Sequence, residues 1–372
     1  MGLLSGFLLA YLVGDAYASY CDFGIPASNA TVNVRVFNVA NMTLLNETHA
    51  FSLPVLPGHE SSTFPMYSFL VEHKSSQKRL MFDLGVRKDP ENTPPAFASA
   101  FSSGFAQLEP YKDITVLLQD GGINLTSIDA VIWSHAHFDH VGDMSTFPNS
   151  TKLMIGPDTN LTTFPESPTA TLQASDFAGH DITRVNFSNA KLTFSGLKAV
   201  DYFGDGSFYL VDTLGHLPGH LTALVRVTPK SFVVLGGDTF HHAGQARPRP
   251  PVPEELPLPR APLRRIQAAP HREMPAYIGL PFQQRAEAFL SISNLTDSFY
   301  ADPAKAIVSL DKVASFDADP DFFVITAHDV SLRSALPYFP AYLNGWQASK
   351  LKEKAVGNFI DTTNPAFVFS PV

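Results

Sequence analysis

The sequence predicts an α/β (α+β) fold in which two layers of mixed β-sheet are covered by helices. Short apolar or alternating runs, which are typical of strands, dominate the first part of the chain, and helical patterns dominate the last part. The chain has 372 residues, enough for one large domain or two medium ones. Its hydrophobic content of 45% excludes wholesale disorder. We find no internal repeat.

The predicted strands follow one another along the first part of the chain. Residues 31–40 alternate apolar and polar side chains, as a half-buried strand does. Two strand-like runs at 66–71 and 79–82 are separated by a turn-like segment. Residues 129–133 (DAVIW) are an apolar run typical of a short buried strand. Further strands are predicted at 152–155, 197–202, 207–212, 221–227, 231–235 and 321–326.

The segments between and after these strands are predicted as helices or long loops. Residues 87–110 are rich in Pro, Ala, Phe and Ser and indicate a lid-like excursion. Within it, we interpret the Phe-rich part, 97–105, as side chains that pack in the protein interior, and the alternative is that they form a pocket wall. The proline-dense stretch 247–263 excludes regular helix and predicts an extended surface loop, with a docking peptide as the alternative. Helices are predicted at 111–120, 281–295, 303–316 and 342–356.

The first 18 residues fit either a signal peptide or an N-terminal extension of the fold. Residues 2–13 are almost wholly apolar, and Ala16-Tyr17-Ala18 fits a small-x-small cleavage site. The missing basic residues at the start favour an intracellular protein over a secreted one. Asn-x-Ser/Thr sequons favour secretion instead, and they occur at Asn29, Asn41, Asn46, Asn124, Asn149, Asn160, Asn186 and Asn294.

Charge and cysteine content exclude several classes of protein. The formal net charge is −9 at pH 7, and no basic run is present, so we expect no nucleic-acid partner. No apolar run approaches 18 residues, which predicts no membrane span. The single cysteine, Cys21, excludes a disulfide framework and Cys-rich zinc modules. The expected partner, argued from the motifs below, is a small-molecule substrate, and charge and composition do not predict the oligomeric state.

The strongest chemical signal lies directly behind the predicted strand 129–133. The motif Ser134-His135-Ala136-His137-Phe138-Asp139-His140 holds three histidines and one aspartate. Alternate residues of an extended loop point the same way, so His135 and His137 can share one metal ion while Asp139 and His140 face a second. Imidazole and carboxylate ligands suit zinc, with iron and manganese as alternatives.

Three further clusters also follow predicted strands. They are residues 214–220 (LGHLPGH), 235–242 (LGGDTFHH) and 326–329 (TAHD). Loops at one edge of a sheet can converge while the strands hold their geometry, so these clusters predict one shared site.

These motifs resemble those of the metallo-β-lactamase superfamily, over roughly residues 60–335. The resemblance implies an αβ/βα sandwich with a dinuclear site along one edge, and residues 31–372 would form a single such domain that includes the proline-rich loop. It also implies two Zn²⁺ ions per chain and a brace for the histidine loop at Asp83. The implied ligands are His135, His137 and His220 for the first metal, Asp139, His140 and His328 for the second, and Asp238 as the bridge between them.

The same resemblance narrows the subclass. True β-lactamases of the family use a cysteine in the site, and Cys21 lies far outside the motifs. The ligand set resembles that of N-acyl-homoserine lactonases and glyoxalase II thioesterases. The sequence as a whole resembles fungal enzymes of detoxification and secondary metabolism. Such lactonases carry a tyrosine three residues after the bridging aspartate, where this chain has His241. His241 is therefore the candidate oxyanion donor, His242 is the alternative, and His216 is interpreted as a turn residue.

The predicted function is hydrolysis of a small lactam, a benzoxazolinone-like cyclic carbamate or a lactone, in xenobiotic detoxification or secondary metabolism. A hydroxide held by two zinc ions would attack the carbonyl, and Asp139 would carry a proton to the leaving group. The alternative is a thioesterase that releases an acyl or polyketide chain from a thiol or a carrier protein. It needs the same metals, but the absence of a basic cluster for an acidic carrier favours the small-molecule hydrolase.

Overall fold

The structure is a computed structural model that describes residues 19–247 and 288–369. The predicted leader and nearly all of the proline-rich stretch lie outside the described residues. The strands are β1 (Val32–Leu44), β2 (Ser52–Leu53), β3 (Ser62–His73), β4 (Arg79–Phe82), β5 (Ala106–Leu108), β6 (Ala130–Ile132), β7 (Lys152–Ile155), β8 (Thr163–Phe164), β9 (Leu172–Gln173), β10 (Ile182–Arg184), β11 (Leu192–Phe194), β12 (Leu197–Asp201), β13 (Phe208–Asp212), β14 (Leu221–Thr228), β15 (Ser231–Leu235), β16 (Ser291–Ile292) and β17 (Phe322–Ile325).

The helices of the described residues are mostly short. The α-helices are α1 (Thr48–Phe51), α2 (Pro95–Ser102), α3 (Ile114–Asp120), α4 (Phe138–Val141), α5 (Ala243–Ala246), α6 (Pro303–Ala318) and α7 (Leu351–Ala355). The 3₁₀-helices are Ser19–Cys21, Pro90–Asn92, Leu125–Ser127, Met144–Thr146, Ala174–Asp176, Val330–Leu332, Leu343–Gly345 and Asn358–Ile360. Asp113 and Asp302 begin α3 and α6 by accepting a hydrogen bond from a backbone N–H of the first turn.

Two large mixed sheets confirm the predicted fold class. The first has seven strands in the order β10-β7-β6-β4-β3-β1-β5, and the second has six in the order β11-β12-β13-β14-β15-β17. In the first sheet β4 pairs parallel with β6, and in the second sheet β15 pairs parallel with β17. The remaining neighbours of the second sheet are antiparallel.

The two sheets pack face to face, and each carries a helix layer on its other face. Val34 and Phe82 of the first sheet share one buried cluster with Leu210 and Val225 of the second. The outer face of the first sheet packs on α3, and the outer face of the second packs on α6. Strands covered on both faces are apolar throughout, which is why β15 (SFVVL) shows no alternation.

The parallel strand pairs place four strand ends at one edge of the sandwich. In the first sheet Phe82 is the register partner of Ile132, so Asp83 and the histidine loop leave the sheet together. In the second sheet Leu235 is the register partner of Ile325, so the chain segments that hold Asp238 and His328 also leave together. The site described below lies at this edge.

Two helix predictions are wrong in the described residues. The helix predicted at 281–295 is not formed over 288–295, where Ser291–Ile292 is a strand paired with β2; residues 281–287 lie outside the described part. The helix predicted at 342–356 is divided into the 3₁₀-helix Leu343–Gly345 and α7, because Lys350 takes a left-handed conformation with φ of 54°. No helix of the described residues is long and apolar enough to cross a membrane.

Candidate metal centre and active site

Asp83 holds the histidine loop in place from the end of β4. Its Oδ1 accepts the backbone N–H of Ser134 at 2.6 Å, and its Oδ2 accepts the Ser134 hydroxyl at 2.8 Å. Oδ2 also lies 2.8 Å from Nδ1 of His140. Asp83 is buried and has a φ of 59°, a conformation that a short polar side chain tolerates better than most. The bracing role expected for Asp83 fits these contacts.

The first cluster of possible ligands consists of His135, His137, His216 and Asp238. Nε2 of His135 lies 2.8 Å from Nδ1 of His137, and Nε2 of His216 lies 3.1 and 3.0 Å from these two atoms. Oδ2 of Asp238 lies 3.2 Å from Nε2 of His216. Four potential ligand atoms therefore surround one point.

The second cluster consists of Asp139, His140 and His328, and Asp238 again faces it. Nε2 of His140 lies 3.3 Å from Nε2 of His328, which in turn lies 3.3 Å from Oδ2 of Asp139. Oδ1 of Asp238 lies 3.2 and 3.3 Å from the two histidine Nε2 atoms. Asp238 thus presents one carboxylate oxygen to each cluster, the geometry of a bridging ligand.

The donor chemistry of these clusters fits metal cations. The Nδ1 atom of His328 lies 2.8 Å from the carbonyl oxygen of Pro65, which can only accept, so Nδ1 carries a proton and Nε2 is the nitrogen available to a cation. The Asp83 carboxylate fixes His140 in the same way. Oδ1 of Asp238 is buried and accepts no hydrogen bond from the described residues, which leaves it free for a cation.

The pKa values of the site agree with this interpretation. Burial lowers the pKa of His137 to about 3 and that of His216 to about 3, so both rings are neutral at pH 7, as metal binding requires. Burial also opposes the charged form of His328, but the Asp238 and Asp139 carboxylates outweigh it and raise its pKa to about 10. Without a cation, protons on the second cluster balance its carboxylates, and a bound cation would replace them.

The structure does not bring His220 into the first cluster, where it was expected from the sequence. Nδ1 of His220 lies 2.9 Å from the carbonyl oxygen of Thr213, and Nε2 accepts the backbone N–H of Asp238 at 2.9 Å. Both ring nitrogens are therefore occupied. His216, which we interpreted as a turn residue, lies in the cluster instead. Within the motif LGHLPGH, His216 thus lies where His220 was expected.

His241 and His242 point in different directions. Nε2 of His241 lies 3.2 Å from Oδ2 of Asp238, and its ring stacks on Phe51 with centroids 5.2 Å apart. His242 accepts the N–H of Gly244 on Nδ1 and contacts the carbonyl of Ala366 through Nε2, so it caps α5 away from the clusters. Of the two candidates, His241 is the one at the site.

A cavity of about 240 Å³ opens onto both clusters. His137, Asp139, His216, Asp238, His241 and His328 form its polar floor. Aromatic and aliphatic side chains form its walls: Met42, Leu44, Phe51, Phe64, Ala96, Phe97, Ala100, Phe101, Phe105, Ala106, Phe138 and Phe299. The wall from α2 shows that the alternative interpretation of residues 97–105, a pocket wall, describes them better than packing alone.

Comparison with known proteins identifies the family. The family model described as the metallo-beta-lactamase superfamily matches residues 67–328. The chain belongs to the metallo-β-lactamase superfamily. It is 34% identical over 354 residues to gamma-lactamase FDB1 of Fusarium pseudograminearum, and the match covers 92% of this chain and 84% of that protein.

Another relative is much longer than this chain. Cytochrome P450 monooxygenase mpaDE' of Penicillium brevicompactum is 37% identical over 341 residues, which cover 89% of this chain but 37% of that protein. The chain thus spans little more than a third of the length of this relative.

Solved structures support the superfamily fold. A mutant of AiiA from B. thuringiensis, solved with N-decanoyl-L-homoserine bound at its active site, superposes with a TM-score of 0.51 at 16% identity. The match covers 84% of this chain and 99% of that chain. At this identity the likeness shows the fold.

Proposed function

We propose that the chain is a hydrolase that holds two zinc ions and opens a small cyclic amide, carbamate or ester. The observation that carries this proposal is the position of Asp238, whose two carboxylate oxygens face two separate His/Asp clusters on the floor of one apolar cavity. The gamma-lactamase relative supports a cyclic amide as the substrate. Xenobiotic detoxification or secondary metabolism would be the setting.

The proposed ligands follow the geometry. His135, His137 and His216 would hold the first cation, Asp139, His140 and His328 would hold the second, and Asp238 would touch both. When bound, the cations supply Lewis acidity at a carbonyl oxygen and lower the pKa of a water molecule toward neutrality.

Residues of the chain supply the remaining chemistry. The ring of His241 lines the cavity beside Asp238 and can donate a hydrogen bond to the oxyanion that develops on the substrate. Asp139 also lines the cavity, and its carboxylate can carry a proton to the leaving nitrogen or oxygen. The aromatic walls exclude bulk water, which strengthens both interactions.

The cavity favours a small uncharged substrate. Its described lining contains no lysine or arginine, so an anionic group on the substrate that lies away from the proposed metal ions would be desolvated without a partner. Its volume of about 240 Å³ is near the lower end for ligand pockets, roughly 300 Å³. Aromatic rings such as Phe97 and Phe138, with centroids 4.5 Å apart, suit a flat ring system.

Hydrolysis of matched substrates tests the proposal. The zinc-loaded chain is assayed on a γ-lactam, a cyclic carbamate and a lactone, each fused to the same benzene ring, and on an acyl thioester. We expect opening of at least one cyclic substrate, about two zinc ions per chain, and loss of both metal and turnover in Asp238→Ala. Asp297→Ala, an exposed aspartate paired with His49, is the matched control and should change neither. Hydrolysis of the thioester alone would overturn the proposal in favour of the thioesterase.

A further inference from the structure

The ring of His241 is held from behind by Tyr300, a buried residue outside every motif of the sequence. The Tyr300 hydroxyl lies 2.7 Å from Nδ1 of His241, on the opposite side of the ring from Asp238. Tyr300 is 2% exposed, and its ring is nearly perpendicular to that of His241 at 81°. The contact therefore joins a buried phenol to a ring that lines the cavity.

The segment that carries Tyr300 is fixed on both sides. The N–H of Phe299 donates to the carbonyl of Ala50, and the N–H of Ala301 donates to the carbonyl of His216 at 2.9 Å. The next residue, Asp302, donates to the carbonyl of Gly215 at 2.9 Å. The phenol is thus tied to the same loop that carries His216, and its position relative to the clusters is set by backbone hydrogen bonds.

The direction of the hydrogen bond between Tyr300 and His241 follows from which nearby atoms can donate and which can accept. A tyrosine hydroxyl has a usual pKa of about 10, so the buried Tyr300 hydroxyl carries its proton at neutral pH. Among the described residues, Nδ1 of His241 is the acceptor that this proton reaches. The neighbouring Gln245 does not compete, because its Oε1 already accepts two backbone N–H groups and its Nε2 can only donate.

We propose that Tyr300 is a positioning residue that donates to Nδ1 of His241 and thereby fixes the proton of the neutral ring on Nε2. A ring in this tautomer is a hydrogen-bond donor toward the cavity and has no lone pair on Nε2 for a metal. Asp238, His241 and His328 lie close enough together to hold an ion. With its Nε2 protonated, however, His241 does not ligate one. The assignment of the tautomer is independent of the proposed function, and only the expected effect on kcat rests on that function.

Two measurements that need no substrate test the tautomer. In long-range ¹H–¹⁵N spectra of the zinc-loaded chain with ¹⁵N-histidine, the His241 signals are identified by their loss in His241→Ala. We expect Nδ1 in the range of an unprotonated acceptor and Nε2 in the range of a protonated nitrogen, and we expect Tyr300→Phe to abolish this fixed pattern. In the cobalt-loaded chain, His241→Ala should leave the d–d spectrum and metal content unchanged. A protonated Nδ1, or a changed cobalt spectrum, would overturn the proposal.

Kinetics on any substrate that the chain opens then measure the effect of the positioning. His241→Ala should lower kcat by ~10²–10³, as the loss of one oxyanion donor does. Tyr300→Phe should lower kcat by about tenfold with KM within about twofold, and the double variant should equal His241→Ala alone because the two residues act as one unit.

The matched control is Tyr209→Phe, which removes another buried phenol, packed on Phe194 away from the clusters, and should change neither kcat nor the ring signals. Additive losses in the double variant would reduce Tyr300 to a packing role and overturn the proposal. If no substrate is opened, the proposed function fails while the spectra still decide the tautomer.

Discussion

Nε2 of His220 accepts the backbone N–H of Asp238 at 2.9 Å. A histidine that follows a strand of the second sheet thereby holds the main chain of the carboxylate that both clusters share. Gly237, the residue before Asp238, has a φ of 52°, and a Cβ there would lie 2.8 Å from this same Nε2. The close approach explains the Gly-Gly turn after β15 and gives His220 a supporting role.

The roles of His216 and His220 can be separated by metal content and stability. His216→Ala should lose the first metal, with a larger loss of affinity than the ~10–100-fold that outer contacts cost. His220→Gln should keep both metals, because its amide oxygen can still accept the N–H of Asp238. His220→Ala should lose stability by about 1–3 kcal/mol or more, since it leaves that N–H unpaired in the interior. Metal analysis after dialysis and thermal unfolding check these outcomes, and the control is His49→Ala, at a half-buried histidine paired with the exposed Asp297. A first metal that persists in His216→Ala would contradict the assignment.

Asp83 should control metal affinity without touching a metal. Asp83→Ala removes three hydrogen-bond acceptor contacts from the histidine loop and places a residue with a methyl side chain at a φ of 59°. We expect metal affinity to fall by about 10–100-fold. Asp83→Asn tolerates the backbone conformation and isolates the effect of the charge, so it should show a smaller loss. Competition with a chelator measures both variants, and unchanged affinity in Asp83→Ala would show that the loop holds its shape without the brace.

Asp176 should make stability fall as pH rises. Burial raises the pKa of Asp176 to about 6 from a usual value of 3.8, despite the backbone hydrogen bond from Gln173 and the nearby Arg87. Between about pH 4 and pH 6 the unfolded chain loses this proton first, so the folded state becomes relatively less stable as pH rises. Asp176→Asn keeps an acceptor for the N–H of Gln173 and removes the titration. It should stabilise the chain at pH 7.5 by about 1–2 kcal/mol and have no effect near pH 4.

Denaturant unfolding at both pH values measures this difference. Asp120→Asn, at an exposed aspartate paired with Lys112, serves as the control and should show no such pH dependence. A variant Asp176→Asn that is destabilised equally at both pH values would show that the carboxylate matters for its hydrogen bond rather than for its proton.

Removing one partner of the buried ion pair Arg247–Asp317 should lower the free energy of unfolding strongly. Nε and Nη2 of Arg247 lie 2.8 and 3.0 Å from the two carboxylate oxygens of Asp317, and both residues are buried. Asp317→Ala leaves the guanidinium without its partner and should cost about 3–5 kcal/mol. The double variant Arg247→Met/Asp317→Leu should cost less than Asp317→Ala alone, because it leaves no unpaired guanidinium in the interior. The control Lys112→Ala breaks an exposed ion pair and should cost less than about 1 kcal/mol. An equally small loss of stability in Asp317→Ala would contradict the expectation.

The sequence by itself determined the sheets and most of the chemistry. The apolar runs of β6, β15 and β17 predict buried strands, because strands covered on both faces must be apolar along their whole length. The metal-type residues of the loop 134–140 are close in sequence, so their proximity needs no tertiary information. Family resemblance then supplied the sandwich, which the two mixed sheets confirm.

Tertiary structure alone decided what each histidine does. A sequence shows that His216 and His220 share a turn, but the partner of each ring nitrogen comes from a distant segment: the other histidines for His216 and the backbone of Asp238 for His220. Tyr300 lies 59 residues from His241 along the chain and belongs to no motif, so only the fold brings its hydroxyl to that ring. The physical reason is that a strand pattern reflects local burial, whereas the role of an imidazole depends on which atoms face its two nitrogens.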